Sequence, residues 1–240
     1  MLPIVVLAGG EGTRLKNIQK NSPKVLKKIN KTPFIDLLIE NLIRLGFRDL
    51  IFILHKDQRK IKLHLNNQKY LNGVKLNFFY DGEENLGTAG SIVKNINNLP
   101  DIFWTTYGDT LLNWDVEASE SKFISSNYDS LMTVINKKFV NESPNLLIQN
   151  EKIYRYSKND TKKNNYVDYG AILFNKSVFL KYQVIKFGLE IVFKDLIKTN
   201  KIDYFETFNK FYEIGNPASF NEVEKALKYK NIYNLWSEIE

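Results

Sequence analysis

The 240-residue sequence contains no cysteine and only two histidines, His55 and His64. Without thiols there is neither a disulfide framework nor a thiolate metal site, and two imidazoles are too few for a multi-histidine zinc centre. Any metal must be held by oxygen. Long hydrophobic runs are also missing: the aliphatic stretch 4–8 stops at Gly9-Gly10 and has no basic segment before it. It is too short for a secretory leader or a membrane span, so a cytoplasmic protein with no membrane partner is expected. The sequence carries 34 Lys and Arg against 27 Asp and Glu, a net charge of +7, but the lysines are scattered in pairs such as Lys27-Lys28 and Lys137-Lys138. With no basic arm, no nucleic-acid partner is expected, and small anionic substrates remain compatible.

Short aliphatic runs alternate with amphipathic segments. Residues 4–7, 50–54, 74–79 and 102–107 read as strands, and a helical pattern covers 34–45, where Phe34, Leu38, Leu42 and Leu45 share a face and Gly46 supplies the stop. A polar helix is expected over 57–65 and another from about Thr88. Continuous apolar strands alternating with helices require a sheet covered on both faces, so the first 110 residues read as a doubly wound α/β unit. Beyond Asp109 strand-like segments appear at 131–135, 146–148, 152–156 and 166–174, then helical pattern at 189–198 and from Pro217 onward. No repeat, linker or low-complexity tract divides the chain, so one domain spanning 1–240 is expected, with halves 1–110 and 111–240. Leu227, Tyr229, Ile232, Leu235 and Trp236 either cover the core or meet a second copy in a homo-oligomer.

Gly9-Gly10-Glu11-Gly12-Thr13-Arg14 follows the first strand directly. In an open α/β sheet ligands sit beyond the carboxyl ends of the strands, and glycines there let backbone amides approach a phosphate while arginine adds a planar donor fork. The spacing is neither a Walker loop nor a dinucleotide fingerprint, and a tight turn alone would use the same glycines. Ten residues on comes Ser22-Pro23-Lys24-Val25-Leu26, then Ile29 and Pro33. With Leu7-Ala8 before it, this compound pattern resembles the sugar-phosphate nucleotidyltransferase family, whose signature is L-A-G-G-x-G-T-R-L, a gap, P-K-x-L and a proline before the first long helix. Within that family the texture around Asp109 is most like bacterial heptose 1-phosphate guanylyltransferases.

The resemblance implies a Rossmann-like mixed, mostly parallel sheet of the GT-A-like nucleotidyltransferase fold, and attack by a sugar 1-phosphate on the α-phosphorus of a nucleoside triphosphate. It implies that residues 1–110 are the nucleotide-binding half and 111–240 the sugar-binding half. Leu7, Ala8, Gly9, Gly10, Gly12 and Thr13 would bind nucleotide, as would Gly87 and Thr88 in Leu86-Gly87-Thr88-Ala89-Gly90. Arg14 and Lys24 would neutralise phosphates. Asp109 would ligate Mg²⁺, with Glu213 in Glu213-Ile214-Gly215-Asn216-Pro217 as second ligand where the family usually has aspartate. Lys158, Asp168 and Gly170 would hold the sugar phosphate. Glu83 and Glu84 precede the base loop, and ionised carboxylates there would suit the donor edge of guanine. The sequence leaves open uridylyl or thymidylyl transfer by the same family, and a catalytically silent nucleotide-sugar-binding protein.

Overall fold

In the computed structural model, which describes residues 1–9, 23–55, 58–66, 68 and 71–237, one mixed sheet organises the chain. The strands are β1 (Ile4–Leu7), β4 (Asp49–Leu54), β5 (Lys75–Tyr80), β6 (Ile102–Tyr107), β8 (Ser130–Asn136), β9 (Leu146–Gln149), β10 (Lys152–Tyr156), β11 (Tyr166–Asn175) and β12 (Ile202–Thr207). β5, β4, β1 and β6 lie side by side and parallel, with Val6 opposite both Phe52 and Thr106. β11 then pairs antiparallel with β6 and β8, and β12 returns parallel beside β8. The β9–β10 hairpin joins the start of β11 through Leu146 opposite Tyr166. Two short pairings sit off the main sheet, β2 (Lys28–Ile29) with β3 (Thr32–Pro33) and β7 (Thr110–Leu111) with β13 (Tyr212–Glu213).

Helices cover both faces, as strands buried on both sides require. On one face α1 (Phe34–Arg44), α2 (Arg59–Asn66), α4 (Val116–Ile124) and α6 (Pro217–Ala226) pack on Ile4, Val6, Phe52, Trp104 and Leu173. On the other, α3 (Gly87–Asn95) and α5 (Leu189–Lys198) pack on Val5, Ile51, Phe103, Ile172 and Phe174. The period-2 alternation of side chains along each strand feeds these two cores separately. The expected mixed, mostly parallel α/β architecture is present, with β11 and the β9–β10 hairpin supplying the antiparallel pairings.

One expectation needs correction. Beyond Pro217 the chain forms the single helix α6 and then turns, not a series of closing helices. Asn231 and Asn234 explain the change: the Asn231 side chain accepts from the backbone of Tyr233 and Asn234, and Asn234 Oδ1 accepts from Asn231, offering the backbone an alternative to helical bonds. The tail's apolar residues also divide: Leu227, Ile232 and Leu235 are buried in the core, Trp236 packs partly against it, and Tyr229 is exposed.

Candidate active site

The carboxyl ends of β5, β4, β1 and β6 form one rim, and a cleft of about 240 Å³ runs along it. Leu7, Ala8 and Gly9 from β1, Ile53 from β4, Asp81 after β5 and Tyr107, Gly108 and Asp109 after β6 line its sheet side. Lys24, Val25, Asn85, Gly87, Thr88 and Ser91 close it. β1 and β6 approach so closely that a Cβ on Gly108 would fall 2.6 Å from the Ala8 Cβ, and Gly108 N donates to Leu7 O at 3.0 Å. That contact sets Asp109 beside the end of β1.

Asp109 is the centre of a charged cluster assembled from three distant segments. Lys24, the first residue of a tight 3-10 turn after Pro23, donates from its ammonium to Asp109 Oδ2, and Thr110 Oγ1 donates to Asp109 Oδ1 at 3.1 Å. β13 pairs with β7 so that Glu213 faces Thr110, and Ile214 N donates to the Asp109 carbonyl at 2.9 Å. Burial, and then the neighbouring Asp109 charge, push the Glu213 carboxyl above its usual range, while Lys24 pulls it down. The Glu213 carboxylate folds back over Gly215, where any Cβ would lie 2.6 Å from its Oε1. Glycine at 215 thus makes room for the extra methylene of glutamate. The segment after β7 is pinned from below: buried Asn41 of α1 accepts from Leu112 N at 2.9 Å, and Asn113 exchanges hydrogen bonds with the Tyr169 hydroxyl of β11.

Two half-buried carboxylates side by side, with a lysine of the cleft wall beside them, form a donor set for a hard divalent cation that also takes phosphate oxygens and water. Among the described residues no three His, Cys, Asp or Glu side chains converge, so a metal at Asp109 and Glu213 would need ligands from substrate or solvent. Of the expected phosphate-binding residues, Lys24 and Gly9 line the cleft, whereas Gly10, Gly12, Thr13 and Arg14 lie outside the described residues.

Gly87 and Thr88 line the cleft as expected, but the glycines of that loop serve a packing purpose too. Gly87 has φ +72°, and a Cβ there would meet Phe187 O at 2.6 Å. The Phe187 carbonyl accepts from Ala89 N and Gly90 N, Phe187 N donates to Leu86 O, and Leu189 N donates to Thr88 Oγ1. The first turn of α3 is therefore capped by the strap that leads into α5. Glu83 and Glu84 are exposed on the loop and are not among the cleft-lining residues. Asp81, unmarked by the sequence reading, lines the cleft instead; its position directly after an apolar strand was the signal available.

On the far side of β6, the start of β11 brings together the expected sugar-site residues. Gly170, φ +98°, sits in a register shift between Asp168 and Ile172 and lies against the Tyr107 ring. Asp168 Oδ1 accepts from Gly170 N at 3.0 Å, and the carboxylate also accepts from the Tyr156 hydroxyl. Burial raises the Asp168 pKa from 3.8 to about 6 against these bonds and the nearby Lys158 ammonium. Burial and the Asp168 charge push the Tyr107 and Tyr156 phenols far up, so both stay protonated donors. Asn145 was missed: its Oδ1 accepts from Asp168 N at 2.8 Å while its carbonyl accepts from Ser157 N at 2.8 Å, tying Asp168 to the segment that carries Lys158.

A heptose 1-phosphate guanylyltransferase from Campylobacter jejuni is 27% identical over 225 residues, 90% of this chain and 96% of that protein. One from Aneurinibacillus thermoaerophilus is 22% identical over 94% and 98% of the two chains. Among solved structures, HddC from Yersinia pseudotuberculosis superposes with TM-score 0.77 at 24% identity, covering 96% of this chain and all of that one, and its complex with GMP-PN gives 0.78. That likeness shows the fold. The family model described as nucleotidyl transferase matches residues 4–230, a span that takes in the cleft, the Lys24–Asp109–Glu213 cluster and the Asp168 pocket, and the chain belongs to that family.

Proposed function

We propose that this protein transfers a nucleoside monophosphate from a nucleoside triphosphate, GTP by preference, to a heptose or hexose 1-phosphate, releasing pyrophosphate. The observation that carries the reading is the convergence of Lys24, Asp109 and Glu213 at the end of β6, with the cleft along β1, β4 and β5 on one side and the Asp168 pocket at the start of β11 on the other. The heptose 1-phosphate guanylyltransferases similar over nearly the whole chain support the choice of GTP and heptose.

The nucleophile is a phosphate monoester whose second pKa is about 6, so it is ionised at neutral pH and needs no general base. What remains is in-line positioning and neutralisation of crowded anions. Lys24, held in the cleft on Asp109, is poised for the α-phosphate where charge accumulates. Asp109 and Glu213 would hold Mg²⁺, which when bound supplies further neutralisation of phosphate oxygens. Asp168, with the Tyr156 and Tyr107 hydroxyls beside it, would accept from and donate to the sugar hydroxyls and set the acceptor's phosphate toward β6.

A pyrophosphate-release assay tests the reading, using GTP, UTP, dTTP and CTP against heptose, mannose and glucose 1-phosphates with Mg²⁺. GTP with a heptose or hexose 1-phosphate is expected to give the fastest turnover. Nucleotide binding without turnover on any acceptor would leave a silent binding protein in its place.

A further inference from the structure

Asp109 and Glu213 are brought together by a ribbon of two residues per strand, in which Thr110 faces Glu213 and Leu111 faces Tyr212. One further bond closes it, from Ile214 N to the Asp109 carbonyl at 2.9 Å. A two-stranded ribbon is marginal in water even at full hairpin length, so a pairing this short does not by itself fix the separation of the side chains it carries. Both strands need a hold from outside the ribbon.

Trp236 supplies it on both sides. Toward β13, its indole Nε1 donates to the Lys210 carbonyl at 2.6 Å, just ahead of the strand, and its ring packs on Tyr212 with centroids 6.0 Å apart and planes at 67°. Toward β7, the Arg44 guanidinium at the end of α1 lies 4.9 Å from the centroid of the same indole and donates from Nη2 to Asn113 Oδ1 at 2.9 Å, just past the strand. A guanidinium over an indole face is attracted to it, the more so when desolvated, and Arg44 is half-buried. Arg44 grips the chain where the main sheet already ties it, since the Asn113 carbonyl accepts from the Tyr169 hydroxyl at 3.0 Å and from Thr207 Oγ1 at 3.2 Å. Ile232 and Leu235, buried in the core just before Trp236, anchor the indole in turn.

We infer that Trp236 is a positioning residue for the Asp109 and Glu213 carboxylates, holding β7 and β13 at the spacing that lets both reach one divalent cation. The inference rests on the proposed function only for the metal role of those two side chains. Mg²⁺ demands near-ideal octahedral geometry with short bonds to oxygen, so a small slip of either strand loses a ligand. Trp236 is not among the residues that line the nucleotide cleft, so its loss should be felt through the metal and not through the nucleotide.

Mn²⁺, which favours the same oxygen donors, is the probe. Calorimetric titration of the full chain with GTP, once with excess Mn²⁺ and once in EDTA, needs no acceptor and no turnover, and the ratio of the two affinities measures the coupling of metal to nucleotide. Mn²⁺ is expected to tighten GTP binding at least about tenfold in the unaltered chain and no more than about twofold in Trp236→Ala, as for the loss of a group that orients metal ligands. In EDTA the two proteins are expected to bind GTP within about twofold of each other. Trp236→Phe keeps a ring between Tyr212 and Arg44 but donates nothing to Lys210, and should restore part of the Mn²⁺ effect. Arg44→Met keeps the apolar stem but has no donor for Asn113; its Mn²⁺ effect is expected to be about threefold or less, which keeps the test open if Trp236→Ala does not fold.

A full Mn²⁺ effect in Trp236→Ala or in Arg44→Met would overturn the inference alone. A Trp236→Ala protein weakened equally in EDTA and in Mn²⁺ would overturn it as well, because a merely structural indole behaves that way. No Mn²⁺ effect in the unaltered chain would overturn the metal role of Asp109 and Glu213 and the inference with it. A Mn²⁺ effect present in the unaltered chain and lost in the variant, without turnover on any acceptor, would leave the inference standing while the proposed reaction fails.

Discussion

Asp168→Asn should stabilise the protein, and more so as pH rises. The Asp168 carboxyl titrates at about 6 in the folded chain against 3.8 as reference, because burial outweighs the Gly170 amide, the Lys158 charge and the Tyr156 hydroxyl. A folded-state pKa above the unfolded one means that between these values the native state binds more protons, so stability falls as pH rises from about 4 to about 6 and is level above. A difference of about 2 units corresponds to about 3 kcal/mol with the group fully ionised, and integrating the linkage leaves about 1 kcal/mol at pH 4.5. Asparagine keeps the shape and still accepts from Gly170 N but carries no charge. Urea unfolding of both proteins is therefore expected to show the variant ahead by up to about 3 kcal/mol at pH 7.5 and by about 1 at pH 4.5. A variant that is less stable at pH 7.5, or a difference that does not change with pH, would refute the account. On the proposed acceptor-binding role of Asp168, the same substitution is expected to raise KM for the sugar 1-phosphate while leaving that for the triphosphate unchanged.

Asp109→Asn removes one of the two carboxylates and the partner of Lys24; pyrophosphate release should fall on the order of a thousandfold, with circular dichroism and melting temperature close to the parent. Gly87→Ala must fit a Cβ 2.6 Å from Phe187 O at φ +72°, and is expected to lower unfolding free energy by about 2–3 kcal/mol and to weaken nucleotide binding, both read by denaturation and calorimetry. Asn145→Leu strips the acceptor from Asp168 N; KM for the sugar phosphate should rise with KM for the triphosphate constant, and Asn145→Asp, which keeps an acceptor, should restore it.

What could be read from the sequence follows from where each signal is stored. β1, β4, β6, α1 and α5 carry their evidence locally, as aliphatic runs or as one apolar helix face, and they appear where expected. α4 and β12 were missed because Val116–Ile124 is mostly polar, with Val116 and Phe123 as its only buried apolar side chains, and Ile202–Thr207 carries Asp203 and Glu206 in an edge position beside β8. The Asp109–Glu213 juxtaposition depends on two-residue strands 102 positions apart, a pairing with no local signal that only the family resemblance brought into view. Asp81 shows the limit from the other side. Asp81-Gly82-Glu83-Glu84 offers three acids in a row of four, and only the sheet decides that the first is buried at the rim while the other two face solvent.

The two halves anticipated from the sequence share one sheet. β6 and β11 pair over five residues, and both cores draw side chains from each half. The strap at 185–189 adds hydrogen bonds in which Phe187 N and Leu189 N donate to Leu86 O and Thr88 Oγ1 and the Phe187 carbonyl accepts from Ala89 N and Gly90 N, so the loop beside the cleft and the start of α5 share one network. With Asp81, Asp109 and Asp168 on neighbouring parts of one sheet edge, their spacing is set by strand registry. In-line transfer needs the donor phosphorus and the acceptor phosphate held at a fixed separation and angle, and a shared sheet provides that without ordering a hinge at each turnover. One folding unit is the reading this favours, and it explains why perturbing the strap at Gly87 or Gly90 should disturb both substrates, whereas perturbing Asn145, on the β9 side of β11, should disturb only the acceptor.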